Sequence, residues 1–188
     1  MTFGYRATIA GNVLPISSLG YRLNLIEDVV LMRVNVVIPN AVSALPVIED
    51  NTEEYLVVDK RDGDTWSPFV HALMTDASID YTIGGRNSSL GITAQQSFVA
   101  VPHAHLISTE PWIVYAKQAD GVYTVRTLFR PEVMPGMWAH PGESPIYGMT
   151  MRDYLRYLSW DNVSDIQLVR LSMSANRQGE NMQLFFRP

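Results

Sequence analysis

The sequence predicts a mainly β protein: antiparallel barrel or sandwich domains, one short helix and a long proline-rich loop. Three observations predict it. Apolar residues recur at period two in several runs, turn-forming glycine, asparagine and aspartate separate those runs at short intervals, and a single segment keeps helical spacing. The clearest instance is Trp112 to Gly136, WIVYAKQADGVYTVRTLFRPEVMPG, where two β-branched and aromatic runs flank Asp120-Gly121 and then give way to proline. A turn there needs positive φ, which glycine adopts without steric cost. On the second arm Tyr123, Val125, Thr127 and Phe129 share one face, while Val122, Thr124, Arg126 and Leu128 share the other.

Composition narrows the class. A chain of 188 residues buries a core without metal or disulfide staples, as one large or two small β domains. With 47% hydrophobic and 18% charged residues it is a folding sequence and not a disordered one. It has no cysteine, which removes disulfides, thiolate zinc sites and a cysteine nucleophile together. A net charge of −5 without a lysine or arginine cluster argues against a broad nucleic-acid surface. The opening MTFGYRATIAGNVLPISS lacks the pattern of a secretory signal, and no run approaches the roughly 20 apolar residues of a membrane span. The expectation is a soluble protein made in the cytoplasm.

Taken in order, Tyr5 to Ile16 predicts a small hairpin with Gly11-Asn12 in the turn. Val29 to Ile38 predicts a long strand stopped by Pro39-Asn40, with Met32, Val34, Val36 and Ile38 on one face. Ala41 to Thr52 contains Pro46 and predicts a crossing loop or a short helix. Tyr55 to Lys60 and Thr65 to Met74 flank Arg61-Asp62-Gly63-Asp64 as a second hairpin, and Pro68 implies an edge position or a bulge in its second arm. Ser78 to Ile83 and Ser88 to Ala94, around Gly84-Gly85-Arg86-Asn87, predict a third hairpin. Phe98 to Ser108 is a further strand candidate.

From Pro131 to Pro145 the prolines and glycines predict a long loop without regular structure. Thr150 to Trp160 predicts the helix: Met151, Tyr154, Leu155 and Leu158 keep helical spacing, and Thr150 with Asp153 resembles a capping box. Asp165 to Ser174 and Asn181 to Arg187 close the chain as a strand pair around Asn176-Arg177-Gln178-Gly179. The organisation expected is an N-terminal β domain over 1–96 and a C-terminal one over 97–188, or a single intertwined domain.

Few residues group as chemistry requires. His103 and His105 share a face of a strand, and with Glu110 they are spaced like the first metal motif of cupins, H-x-H-x4-E. The flanking glycines of that motif are out of place, and His140 lies at an imperfect spacing for the second, so packed or surface histidines are the better reading. Asp59, Asp62 and Asp64 lack the terminal glutamate of a calcium loop and read as a solvated acidic turn. No G-x-S-x-G elbow or phosphate-cradling glycine loop is present. The aromatic supply says more. Trp138, with Met134, Met137 and Tyr147 nearby, exposes a large apolar area unless it folds back or meets a partner, which makes these four the candidate partner contact.

Three stretches resemble the β domains of the bacteriophage tail or baseplate hub. One is TIAGNVLPIS, followed by a strand closing in Val-Ile-Pro-Asn. Another is Ser78-Ile-Asp-Tyr-Thr-Ile-Gly-Gly-Arg-Asn-Ser-Ser-Leu, similar to a strand, a glycine-arginine turn and a serine-rich return strand. The third is Pro135-Gly136 after a hairpin, with Val169-Arg-Leu-Ser-Met-Ser-Ala and Asn181-Met-Gln-Leu as closing strands. The chain is short for a full hub, and Trp138 to Arg152 has no counterpart.

The resemblance implies a structural virion protein and not an enzyme: β domains that join copies of the chain, as a trimer or hexamer, into a ring around the tail channel and link it to other tail proteins. It implies no cofactor, no membrane, no specific nucleic acid, and no catalytic or metal residues to carry over. Two rival readings remain, a cupin-like metal enzyme using His103, His105 and Glu110, and a carbohydrate- or receptor-binding module displaying Trp138 and Tyr147.

Overall fold

The computed structural model describes residues 4–40, 44, 46–48, 54–81, 88–100, 106–108, 114–117, 122–127, 133–140 and 166–187. Among them are thirteen strands: β1 (Tyr5–Ile9), β2 (Asn12–Pro15), β3 (Ser18–Ile26), β4 (Val29–Pro39), β5 (Tyr55–Asp62), β6 (Thr65–Tyr81) and β7 (Ser88–Val99), then β8 (Leu106–Ser108), β9 (Val114–Lys117), β10 (Tyr123–Thr127), β11 (Trp138–His140), β12 (Ile166–Asn176) and β13 (Gly179–Arg187). Mainly antiparallel β structure is therefore the fold class, as the sequence predicts. Residues 44 and 46–48 are helical, within the segment expected to be a loop or short helix. The predicted helix at Thr150 to Trp160 lies outside the described residues. No helix among the described residues is long and apolar enough to cross a membrane.

The chain divides into two compact units. One comprises Met1–Tyr21, Met32–Ser97 and Ser174–Gly179, the other Arg22–Leu31, Phe98–Met173 and Glu180–Pro188. In the first unit the strands follow the order β2-β1-β5-β6-β7-β4-β3. Its first hairpin pairs Ile9 with Asn12, so the two turn residues are Ala10 and Gly11, one position earlier than expected. Both have positive φ, 46° and 80°, the condition of a I′ turn, and Asn12 instead donates its side-chain amide to the Ala10 carbonyl.

Strand β4 follows its predicted pattern closely. Val30, Met32, Val34, Val36 and Ile38 are buried, while Leu31, Arg33 and Asn35 face outward. Strand β3, which sequence periodicity does not single out, contributes Leu19 and Leu23 to the buried set. Strand β6 corrects a second expectation. Thr65 to Met74 and Ser78 to Tyr81 belong to one strand of 17 residues, because its register to β7 shifts between Met74 and Asp76 and so takes Thr75 out of the pairing without ending the strand.

An earlier bulge in β6 falls where Pro68 predicts it. Val58 pairs with Val70 and Asp59 with Pro68, which leaves Phe69 as the extra residue. The Phe69 ring lies 6.0 Å from that of Tyr5 and 5.3 Å from that of Tyr21, both tilted as aromatic pairs prefer. Beside it Asp59, only 8% exposed, accepts a 2.8 Å hydrogen bond from Arg6 Nε, and the Arg6 guanidinium lies over the Trp66 ring.

Burial pushes the Tyr21 hydroxyl up from 10.0 to about 12. Because the folded-state value exceeds the unfolded one, the stability tied to neutral Tyr21 is fully present below pH 10 and is lost as the pH rises towards 12. Tyr21→Phe is expected to flatten the decline in stability over that window. Chemical denaturation of both proteins at pH 9, 10 and 11 checks it, and parallel declines would disprove the assignment.

In the second unit the order is β3-β12-β13-β10-β9. The strongest hairpin signal is realised: Lys117 pairs with Tyr123, Tyr115 with Val125 and Val114 with Arg126. Val125 and Thr127 are buried and Arg126 is exposed, in agreement with the predicted faces. The residues of the tip lie outside the described set. Strand β10 then pairs with β13, setting Tyr123 opposite Phe186 and Val125 opposite Leu184. Strand β12 breaks the expected alternation. Ile166 and Leu168 are buried, and then Leu171 and Met173, so the buried set changes parity across Val169 and Arg170, both half-buried.

Candidate assembly surface

The four residues singled out as a partner contact begin in a tight turn. Met137 N–H donates to the Met134 carbonyl at 3.2 Å, and Gly136 follows Pro135 with φ 97°, the signature of a type II turn. This turn is held on β12 from both sides. Gly136 N–H donates to the Leu168 carbonyl at 2.7 Å, Leu168 N–H donates to the Met137 carbonyl at 2.9 Å, and Gln167 Nε2 donates to the Gly136 carbonyl at 3.3 Å.

The chain then enters β11, which corrects the expectation of a loop without regular structure. Trp138 pairs with Gln167 and Ala139 with Ile166 in antiparallel register, and on the other side Trp138 to His140 pair in parallel with Leu106 to Ser108. Three residues carry too little periodicity to announce a strand; long-range pairing to β8 and β12 makes one. Val133 and Ala139 are buried beneath this segment. Met134, Met137 and Trp138 are half-buried, and the Trp138 indole N–H is buried without a hydrogen-bond partner among the described residues. Tyr147 lies outside the described residues.

Exposed apolar residues collect elsewhere in the same unit. Ile26, Val29 and Leu31 are exposed around the turn joining β3 to β4, and Glu27 in that turn has positive φ, 54°. The backbone N–H of Ala100 donates to the Asp28 carbonyl at 2.8 Å, which brings Val99, at 76% the most exposed large apolar residue among those described, to the same end. Sequence reasoning missed this group because β3 carries no strong strand signal and its turn contains no glycine. In the first unit β2 ends the strand order, with Val13 exposed on it.

The metal candidates fare differently. His103, His105 and Glu110 lie outside the described residues, and His140 is in β11. Among the described residues no three His, Cys, Asp or Glu side chains gather to hold a metal ion. The aspartates of the acidic turn are engaged otherwise, Asp59 with Arg6 and Asp64 with Arg61 at 3.1 Å.

No protein-family model and no curated protein sequence matches the chain. Solved structures do. A 43 kDa tail protein of prophage MuSo2 from Shewanella oneidensis superimposes with a TM-score of 0.55 at 6% identity, covering 99% of this chain and 97% of that one. A tail protein from Neisseria meningitidis MC58 gives 0.55 at 6% identity, over 100% of this chain and 97% of that one. An E. coli component of the type VI secretion system, itself described as similar to the T4 bacteriophage tail proteins gp27 and gp5, gives 0.59 at 7% identity over 97% of this chain and 76% of that one. The fold is that of phage tail proteins, as the sequence resemblance implies.

Proposed function

We propose that this chain is a structural component of a phage-type tail, a hub or tail-tip ring that assembles around the tail channel and links the tube to distal tail proteins. The observation that carries the reading is the likeness to tail proteins over nearly the whole length of the chain, and not over one module of it. Fold alone does not determine function, so the surfaces have to support it too.

They do so in two ways. A ring needs a head-to-tail contact between unlike patches, repeated until it closes. The exposed Ile26, Val29, Leu31 and Val99 supply an apolar group of the kind that partners cover. The half-buried Met134, Met137 and Trp138, with Tyr147, supply a second contact whose burial is completed on assembly. In this reading the protein works as a trimer or hexamer within the virion and performs no catalysis. Its partners are further copies of itself and other tail proteins.

Negative-stain electron microscopy of the purified protein at high concentration tests this. Closed rings with an axial opening and a countable three- or sixfold symmetry are expected. A protein that stays monomeric both alone and when mixed with the neighbouring tail proteins would sink the reading.

A further inference from the structure

Where the buried set of β12 changes parity, the half-buried Arg170 lies against Phe185 of β13. Its guanidinium lies 3.7 Å from the centre of the Phe185 ring, and Phe185 is itself only 7% exposed. The Arg170 Nε is buried and has no hydrogen-bond partner among the described residues. A cavity of about 160 Å³ opens beside it, bounded by Asn24, Leu25, Val169, Arg170, Phe185 and Arg187.

We propose that this cavity is a carboxylate-binding site that takes an aspartate or glutamate side chain from an adjoining protein chain. A buried N–H without an acceptor costs about 1–3 kcal/mol, and more on a charged group. A lysine could shed its proton to escape that cost, but an arginine does not. Stacking on Phe185 favours the cation without supplying an acceptor, and no described residue supplies one to Nε, so the guanidinium edge that borders the cavity is left to an anion or a strong acceptor from outside. Arg187 adds a second cation to the same cavity and, among the described residues, no carboxylate lines it, in a chain whose net charge is −5.

Size and geometry select the anion. The volume is close to the ~150 Å³ engineered cavity that admits one benzene ring, which is room for the end of one acidic side chain. The planar guanidinium fork matches a carboxylate with two parallel hydrogen bonds, and the polar Asn24 also lines the cavity. A nucleic acid would need a row of cations along its phosphates, and among the described residues two arginines line this site. The binding chemistry rests on this geometry alone. That the carboxylate belongs to a neighbouring subunit rests on the tail reading.

The test uses the isolated full-length protein, so it is independent of ring formation. Nuclear magnetic resonance follows the Arg170 Nε–H and the Phe185 amide during titration with N-acetylglutamate N-methylamide, with the neutral N-acetylglutamine N-methylamide as control. A saturable shift at millimolar probe is expected with the first compound and absent with the second. Arg170→Gln should weaken the response by about tenfold or more, the equivalent of a lost charge-assisted hydrogen bond. Arg187→Gln, at the exposed end of β13, should weaken it as well and keeps the test decisive if the Arg170 variant does not fold. No saturable shift, equal shifts with both compounds, or an Arg187→Gln response equal to wild type would overturn the proposal. Tighter binding of inorganic phosphate than of the glutamate probe would overturn the carboxylate assignment.

Discussion

Replacing Phe186 with alanine is expected to lower the unfolding free energy by about 3–5 kcal/mol. Phe186 is the bulkiest of the fully buried side chains among the described residues, with no exposed surface, and it sits opposite Tyr123 in the β10–β13 ladder. Leu184 and Met182, two and four residues back on the same face, are also buried, so the ring belongs to a continuous row and leaves a cavity that its neighbours cannot collapse to fill. For a chain of this size the loss corresponds to a fall of roughly 6–20 °C in Tm. Thermal and urea denaturation, read against Val13→Ala on β2, check it. The control, 55% exposed, should change stability by less than about 0.5 kcal/mol. If Phe186→Ala costs no more than the control, the packing described for the second unit is wrong.

That row was legible in part. Val125 with Thr127 marks the buried face of β10, because in that strand one face is buried and the period of two survives, whereas in β13 Phe185 is buried between Leu184 and Phe186 and interrupts it. The same condition makes β4 legible. It fails where a strand is bulged. Thr75 and Asp76 look like the end of a strand, but a bulge absorbs the irregularity and β6 runs on to Tyr81. It fails again in β12, where the buried set changes parity across the half-buried Val169 and Arg170.

Turn chemistry has the same limits. Gly63 has positive φ at the turn of the second hairpin, as its sequence predicts. The β3–β4 turn instead places positive φ on Glu27, which no composition rule favours, and β3 is hidden with it. The candidate contact was legible as a set of side chains and not as a structure. Sequence shows that Met134, Met137 and Trp138 are apolar residues near a Pro-Gly pair. Their common placement depends on hydrogen bonds to Gln167 and Leu168, thirty residues on, which local pattern does not encode.

Gly136→Val is accordingly expected to undo that placement. At φ 97° a β-branched residue is strained by about 1–3 kcal/mol, since its Cβ meets the backbone that glycine avoids. Relief requires the turn to rotate, which removes the 2.7 Å bond to Leu168 and the acceptor used by Gln167. With those losses the destabilisation should reach about 2–4 kcal/mol. The turn is also the hinge by which β11 meets β12, so Trp138 should gain solvent contact and its fluorescence should shift to the red. Pro135→Ala, which keeps glycine at the strained position, should do much less. If Gly136→Val leaves both stability and emission unchanged, the turn does not hold Trp138 in place. If it loosens Trp138 while rings still form, the assembly contact lies elsewhere on the chain, with the exposed group around Ile26 and Val99 as the next surface to test.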